Sequence, residues 1–200
     1  MKKRDVFQIE PGEICMSVVV PAFNEEQRLI GMLEEAVEYL QETYANPIKS
    51  KHTSNGNVLG SRHRQSQDQQ WEIVIVSDGS TDKTVETALH FARIHQLAKH
   101  AADHGPWNGA LTHGKVPSGS IRVVQLEKNR GKGGAVTHGM RHARGRYVVF
   151  ADADGASMFS DLGRLVSACE RAKDKQGRAV AIGSRAHMVG TEAVVKVRIN

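Results

Sequence analysis

Short runs of β-branched residues alternate along the chain with stretches whose apolar positions recur every three or four residues. The runs at 14–20, 73–76, 121–126, 147–150 and 179–182 predict five strands. Between the first two, Leu29, Leu33, Ala36, Val37, Leu40 and Tyr44 mark one helical face, and Asn24 followed three residues later by Gln27 forms a start signal like a capping box. Ser80 is placed to cap a second helix with Val85, Ala88, Leu89 and Ala92 on its inner face. A third helix is expected over about 134–143, and a fourth carries Leu162, Leu165, Val166 and Cys169 on one stripe. Such alternation implies an α/β fold with a mainly parallel sheet and helices on both faces, because each parallel connection needs a crossover.

Two segments, 46–70 and 99–120, interrupt the pattern; they are rich in Gly, Ser, His, Asn and Gln and poor in apolar residues. They are expected to be flexible surface insertions within a single domain spanning 1–200. His100 and His104 have the spacing of two metal ligands on a helix, but no third ligand accompanies them, so they read as solvated residues.

Two hundred residues at 40% hydrophobic content can bury one sizeable core. The formal net charge is +5, and much of the basic excess falls in the two polar segments rather than in a stripe interleaved with aromatics. That distribution speaks against nucleic acid and suits phosphorylated ligands or an anionic lipid surface. Cys15 and Cys169 form no paired motif and read as reduced core thiols facing the cytosol. No run approaches the roughly 18 apolar residues that a bilayer requires, and the Met1-Lys2-Lys3-Arg4 start leads into no signal-peptide core. The chain as written reads as soluble or peripheral.

The candidate chemistry is positional. Each predicted strand ends in a cluster that suits no core: Pro21-Ala22-Phe23-Asn24-Glu25-Glu26, Ser77-Asp78-Gly79-Ser80, Lys128-Asn129-Arg130-Gly131-Lys132-Gly133-Gly134, Asp152-Ala153-Asp154-Gly155 and Gly183-Ser184-Arg185. The carboxyl ends of parallel strands share one edge, so five distant segments are expected to meet at one crevice. Asp152 and Asp154, two apart after an apolar strand, can address one hard divalent cation, whose remaining coordination usually comes from water and substrate phosphates. Arg130, Lys132 and their glycines offer N–H groups, a helix start and cationic side chains to an anion. The segment is neither a Walker A loop nor a dinucleotide fingerprint, and a plain glycine-rich turn is the alternative. Arg185 reads as a second phosphate contact or a surface arginine, and Asp78 as an acceptor for a base N–H or part of a helix-entry turn.

Taken in order, Val18-Val19-Val20-Pro21-Ala22-Phe23-Asn24-Glu25-Glu26, Ser77-Asp78-Gly79-Ser80-Thr81-Asp82, Lys128-Asn129-Arg130-Gly131-Lys132-Gly133-Gly134-Ala135, Ala151-Asp152-Ala153-Asp154-Gly155-Ala156 and Gly183-Ser184-Arg185-Ala186-His187 resemble the family 2 glycosyltransferases of the GT-A fold. The resemblance implies that Pro21, Ala22, Phe23 and Glu25 line a uridine pocket, that Asp78 contacts uracil, and that Arg130 and Lys132 belong to the donor-binding segment. Asp152 and Asp154 match the family's Asp-x-Asp site for Mg2+ or Mn2+, and Arg185 resembles an arginine reaching the phosphates. The run from Asp152 to Ala156 with Phe159 and Asp161 favours the glucosyl branch. The implied reaction moves glucose from UDP-glucose, with inversion, to dolichyl phosphate in the endoplasmic reticulum membrane, on its cytosolic side, for protein N-glycosylation. Similar enzymes begin with a membrane-anchoring helix and continue beyond the equivalent of Asn200, so a partial domain is expected. Another family 2 transferase acting on a polyprenyl phosphate or a polysaccharide, or a non-catalytic nucleotide-sugar-binding fragment, remains the alternative. A sugar-nucleotide pyrophosphorylase fits poorly, since Pro21-Ala22-Phe23 stands where its glycine-rich arginine motif belongs.

Overall fold

The structure, a computed structural model, describes residues 12–45, 70–101, 116 and 119–183, with 97–101 described by their backbone alone. The chain divides into two compact units, Met1–Phe159 and Ser160–Asn200.

The first unit runs β1 (Ile14–Ala22), α1 (Leu29–Leu40), β2 (Trp71–Ser77), α2 (Thr84–Ala101), β3 (Ile121–Gln125), α3 (Gly131–His142) and β4 (Gly145–Phe150). The four strands are parallel, in the order β3-β2-β1-β4. The chain steps from β1 to β2 to β3 in one direction and then returns past β1 to β4. Right-handed crossovers therefore put α1 and α2 on one face of the sheet and α3 on the other.

Central strands of a parallel sheet are covered twice, which is why β1 and β2 are apolar at nearly every position rather than at alternate ones. Val19, Val74 and Val76 join Leu126 and Ala135 in one buried cluster on the α3 side. Met16, Val18, Val20, Ile73 and Ile75, also fully buried, point the opposite way. At Gly139 the helix lies so close to the sheet that an added Cβ would stand 2.4 Å from a Val19 methyl and 3.0 Å from one of Val76. At the edge, β4 half-buries Tyr147 and Val149 and leaves Val148 and Phe150 exposed.

Five local expectations change. Asn24 does not cap α1, whose N-cap Arg28 makes no side-chain cap bond; Asn24 instead adopts φ 55° and reaches across to the loop after β2. The start of α2 is held by Asp82 rather than Ser80, through Oδ1 accepting from the Thr84 amide at 3.0 Å. Its inner face uses Thr84, Ala88, Phe91 and Ala92, while Leu89 is exposed, because a helical stripe is one residue wide at its margin and Leu89 falls outside it. The third helix begins at Gly131, three residues before the expected 134, so the glycine-rich segment is itself the first turn. The expected insertions 46–70 and 99–120 lie largely outside the described residues, and α2 continues to Ala101.

In the second unit, α4 (Leu162–Ala172) carries the expected stripe, with Leu162 buried and Leu165, Val166 and Cys169 half-buried. Asp174 then closes a turn by accepting from the amides of Gln176 and Arg178 and from Arg178 Nε. Residues 179–182 form no strand: Val180 and Ile182 are 82% and 83% exposed. A strand needs a ladder partner as well as a pattern, and no described residue pairs with this run.

Candidate functional site

The loops leaving β1, β2 and β3, together with the segment after β4, meet at the carboxyl edge of the sheet around a cleft of about 380 Å³, within the range of small-molecule sites. Pro21, Ala22, Phe23, Glu25, Asp78, Lys132, Asp152 and Asp154 all line it, joined by Asn129, Gly131, Ala135 and Ala153. Arg130 contributes through its backbone, and Arg185 lies outside the described residues. Four sequence-distant segments thus come together as the strand-end argument required; of the fifth, Gly183 alone is among the described residues.

The first two loops are zipped together. Asn24 N donates to Ser80 Oγ at 3.2 Å, Glu25 N to Thr84 Oγ1 at 2.8 Å and Glu26 N to Asp82 Oδ2 at 3.2 Å. In return the Thr81 amide donates to Asn24 Oδ1 at 2.9 Å and the Lys83 amide to Glu26 Oε2 at 2.9 Å. Burial opposes the charged form of Asp82, but its bonds from Thr84 and from the Glu26 amide outweigh that and lower its pKa. The polar residues of both motifs therefore hold each other's backbone. Sequence reasoning missed this role; the signal was the concentration of short acceptors (Asn24, Ser80, Asp82, Thr84), which favour side chain to backbone bonding in loops.

Asp78, 3% exposed, accepts from the Arg130 amide with Oδ1 at 2.7 Å and so joins the second loop to the third. Gly79 makes that approach feasible: its φ is +70° and an added Cβ would stand 2.7 Å from the Asn129 amide. The first turn of α3 then presents amide groups and the positive end of a helix dipole at the cleft. Asp154 Oδ1 accepts from the Ala156 amide at 2.9 Å, with Gly155 at φ +72° completing the turn. Lys132 Nζ lies 2.5 Å from Asp152 Oδ1 and 5.9 Å from the centre of the Phe150 ring. Glu25 Oε1 accepts from Arg28 at 2.7 Å, while its buried Oε2 has no partner among the described residues.

Four carboxylates, those of Glu25, Asp78, Asp152 and Asp154, face one ammonium, that of Lys132, in the lining. Among the described residues there is no group of three or more His, Cys, Asp or Glu positioned to hold a metal by themselves. A pair of carboxylates suffices where water and a substrate phosphate complete an octahedron, and Asp152 already holds a cation in the form of Lys132. Two carboxylates at this edge are oxygen donors of the type that hard divalent ions take.

At the amino ends of the same strands lies a second charged cluster that sequence reasoning did not find. Glu72, fully buried in β2, accepts from Ser17 Oγ at 2.6 Å and from the Arg144 amide at 2.8 Å on Oε1. Its Oε2 accepts from Arg144 Nε at 3.0 Å and pairs with Arg122 at 2.9 Å. Burial works against the charged form, but the bonds from Ser17 and Arg144 and the charge of Arg122 outweigh it and hold the carboxyl below its usual range. A lone Glu inside an otherwise apolar run was the available signal.

The chain belongs to glycosyl transferase family 2, whose family model matches residues 56–188. Among curated relatives it is 40% identical over 190 residues to a dolichyl-phosphate beta-glucosyltransferase of Saccharomyces cerevisiae, covering 92% of this chain and 45% of that protein. The Drosophila melanogaster enzyme of that name is 40% identical over 174 residues, covering 86% and 41%. The human one is 32% identical over 174 residues, covering 86% and 41%. The chain thus spans less than half the length of these relatives. Among solved structures, a distant likeness links it to Staphylococcus aureus TarS 1-349, at 20% identity and TM-score 0.42 over 78% of this chain and 33% of that one. Among the described residues no helix is long and apolar enough to cross a membrane.

Proposed function

We propose that this chain binds UDP-glucose with Mg2+ or Mn2+ and forms the donor half of an inverting transferase that delivers glucose to dolichyl phosphate. The observation that carries the reading is the charge of the cleft. With four carboxylates and one ammonium in the lining, a diphosphate can settle there only in the company of a cation, while the amide-rich start of α3 supplies the complementary anion contact. The relatives' being dolichyl-phosphate beta-glucosyltransferases supports glucose as the sugar and dolichyl phosphate as the acceptor.

In this reading Pro21, Ala22, Phe23 and Glu25 flank the uridine, and Oε2 of Glu25, which has no partner among the described residues, accepts from a ligand hydroxyl or amide. Asp78 spends Oδ1 on Arg130 and keeps Oδ2 for a uracil N–H. Asp152 and Asp154 hold the divalent ion, Lys132 and the amides beyond Gly131, whose own N–H donates to Asn129 Oδ1 at 2.9 Å, hold the diphosphate, and Arg185 is assigned to the same phosphates. The bound ion would supply Lewis-acid stabilisation of the departing diphosphate. The attacking group is a phosphate monoester with a second pKa near about 6, already largely ionised at neutral pH, so the chain needs to position it rather than deprotonate it. The assigned location is the cytosolic side of the endoplasmic reticulum membrane, where a polyprenyl phosphate acceptor resides.

Asp154→Ala is expected to abolish metal-dependent UDP-glucose binding with the far-ultraviolet spectrum unchanged. Calorimetry with Mg2+ or Mn2+ checks it, and an affinity equal to that of the parent chain refutes the reading. Thermal-shift screening should stabilise the chain with UDP-glucose plus metal more than with GDP-mannose plus metal.

A further inference from the structure

Lys132 and Asp152 have each been given a ligand, yet in the structure they hold one another. We infer that Lys132 is an internal counter-cation: its ammonium occupies Asp152 until a nucleotide diphosphate arrives with its divalent ion, and then moves from the carboxylate to the diphosphate. The inference rests on the assignment of Asp152 and Asp154 as the cation-holding pair.

Three features carry it. Lys132 is the one cationic side chain among the described residues lining the cleft, so the balance of that lining depends on where its ammonium sits. The pair is solvated on both sides, with side chains 59% and 40% exposed; such a bridge contributes little to stability and exchanges readily, unlike a buried one. The Phe150 ring, 5.9 Å from Nζ, favours the ammonium in this place through its π face and keeps the resting position defined. Lysine suits the exchange, being a compact charge on a flexible stem, where a guanidinium would lock a carboxylate with two bonds. Lys132 also stems from the first turn of α3, whose amides are the other anion-binding groups of the cleft, so the move keeps it within the same site.

The consequence is coupling. A divalent ion alone must displace Lys132 and so binds weakly; a nucleoside diphosphate offers the displaced ammonium a new partner and so tightens the ion, and by linkage the ion tightens the nucleotide equally. A lysine that merely contacted phosphate would influence nucleotide affinity alone.

The test titrates Mn2+, with and without UDP, into the full 200-residue chain, followed by paramagnetic resonance of the free ion. Lys132→Met is expected to bind Mn2+ alone about twofold to fivefold more tightly than the parent, the gain that a released surface ion pair allows. The tightening that UDP confers should at the same time fall by about tenfold or more, the loss of one charge-assisted bond. Lys132→Arg should retain the weak metal-only affinity, and Lys128→Met, which removes an equal charge from the same connection, should stay within about twofold of the parent. Metal-only affinity that is unchanged or lower in Lys132→Met, or that rises equally in Lys128→Met, overturns the inference while leaving the donor reading intact. Failure of Asp154→Ala to weaken Mn2+ with UDP present is a separate result that overturns both. Circular dichroism and melting temperature confirm that each variant is folded.

Discussion

Glu72 and Asp152 are both carboxylates held by cationic side chains, at opposite ends of the same four strands. Glu72 is fully buried and surrounded by two arginines, a hydroxyl and an amide, whereas Asp152 is 40% exposed and shares one ammonium with solvent. The first arrangement gives both carboxylate oxygens donors or cations, and it ties β1, β2, β3 and the entry to β4 into one unit. The second leaves coordination open. In this sheet one end is fixed by charges that cannot leave and the other is made useful by charges that can.

Removing the buried charge should have the largest effect. Glu72→Gln strands Arg122 and Arg144 and is expected to destabilise the chain by about 3–5 kcal/mol in urea titrations, whereas neutralising Asp152 should shift stability by under about 1 kcal/mol. The folded pKa of Glu72 lies below its ordinary value of 4.5, so its contribution is fully present above that value and is lost as pH falls through the lowered folded pKa. The acid limb of the stability curve should flatten in Glu72→Gln, as unfolding followed between neutral pH and the acid range will reveal; parent-like stability would remove the contrast between the two ends.

Gly139 tests what joins the ends, since α3 starts at the cleft and rests on Val19 and Val76 by way of this residue. Gly139→Ala drives a methyl to 2.4 Å from Val19. Overpacking of about 1–3 kcal/mol should exceed the gain of up to about 1 kcal/mol from better helix propensity. A lowered melting temperature with weakened UDP binding is expected, because a helix lifted from the sheet moves Lys132 away from Asp152.

Much of this division was legible in the amino-acid sequence. Short β-branched runs identified β1 and β2, and the strand-end rule brought Phe23, Asp78, Lys132 and Asp152 to one edge without any knowledge of their contacts. The run at 179–182 was misread because a short apolar run reports a preference, while a strand also requires a neighbour to pair with. Arg185 stays beyond the described residues. Glu72 escaped notice because its meaning depends on Arg122 and Arg144, 50 and 72 residues away in the chain; only folding brings those charges together. Capping was misassigned for a similar reason. Asn24 has a good local use at the start of α1 and a better long-range one against Thr81, and local pattern sees the first alone.

Asn24 also yields the finest test, because it lies at the boundary between fixed and exchangeable parts of the site. Its side chain joins the loop carrying Phe23 and Glu25 to the loop carrying Asp78, and its backbone sits at φ 55°, a conformation that Asn tolerates and most residues resist. Asn24→Gly keeps that backbone accessible and removes only the acceptor for the Thr81 amide, at 2.9 Å, and for its hydroxyl, at a longer 3.4 Å, so it is expected to lower stability by about 1 kcal/mol, chiefly the value of the amide bond, less than either change above. Asn24→Ala should lose more, since it adds the strain of an unfavourable φ. If the zipped loops preorganise the donor pocket, Asn24→Gly will weaken UDP binding through faster dissociation, with faster amide exchange at Thr81 as the local signature. Unchanged exchange at Thr81 would show that the remaining bonds from Glu25, Glu26 and Lys83 hold the loops without it, and the fixed part of the molecule would then reach further into the site than Asn24.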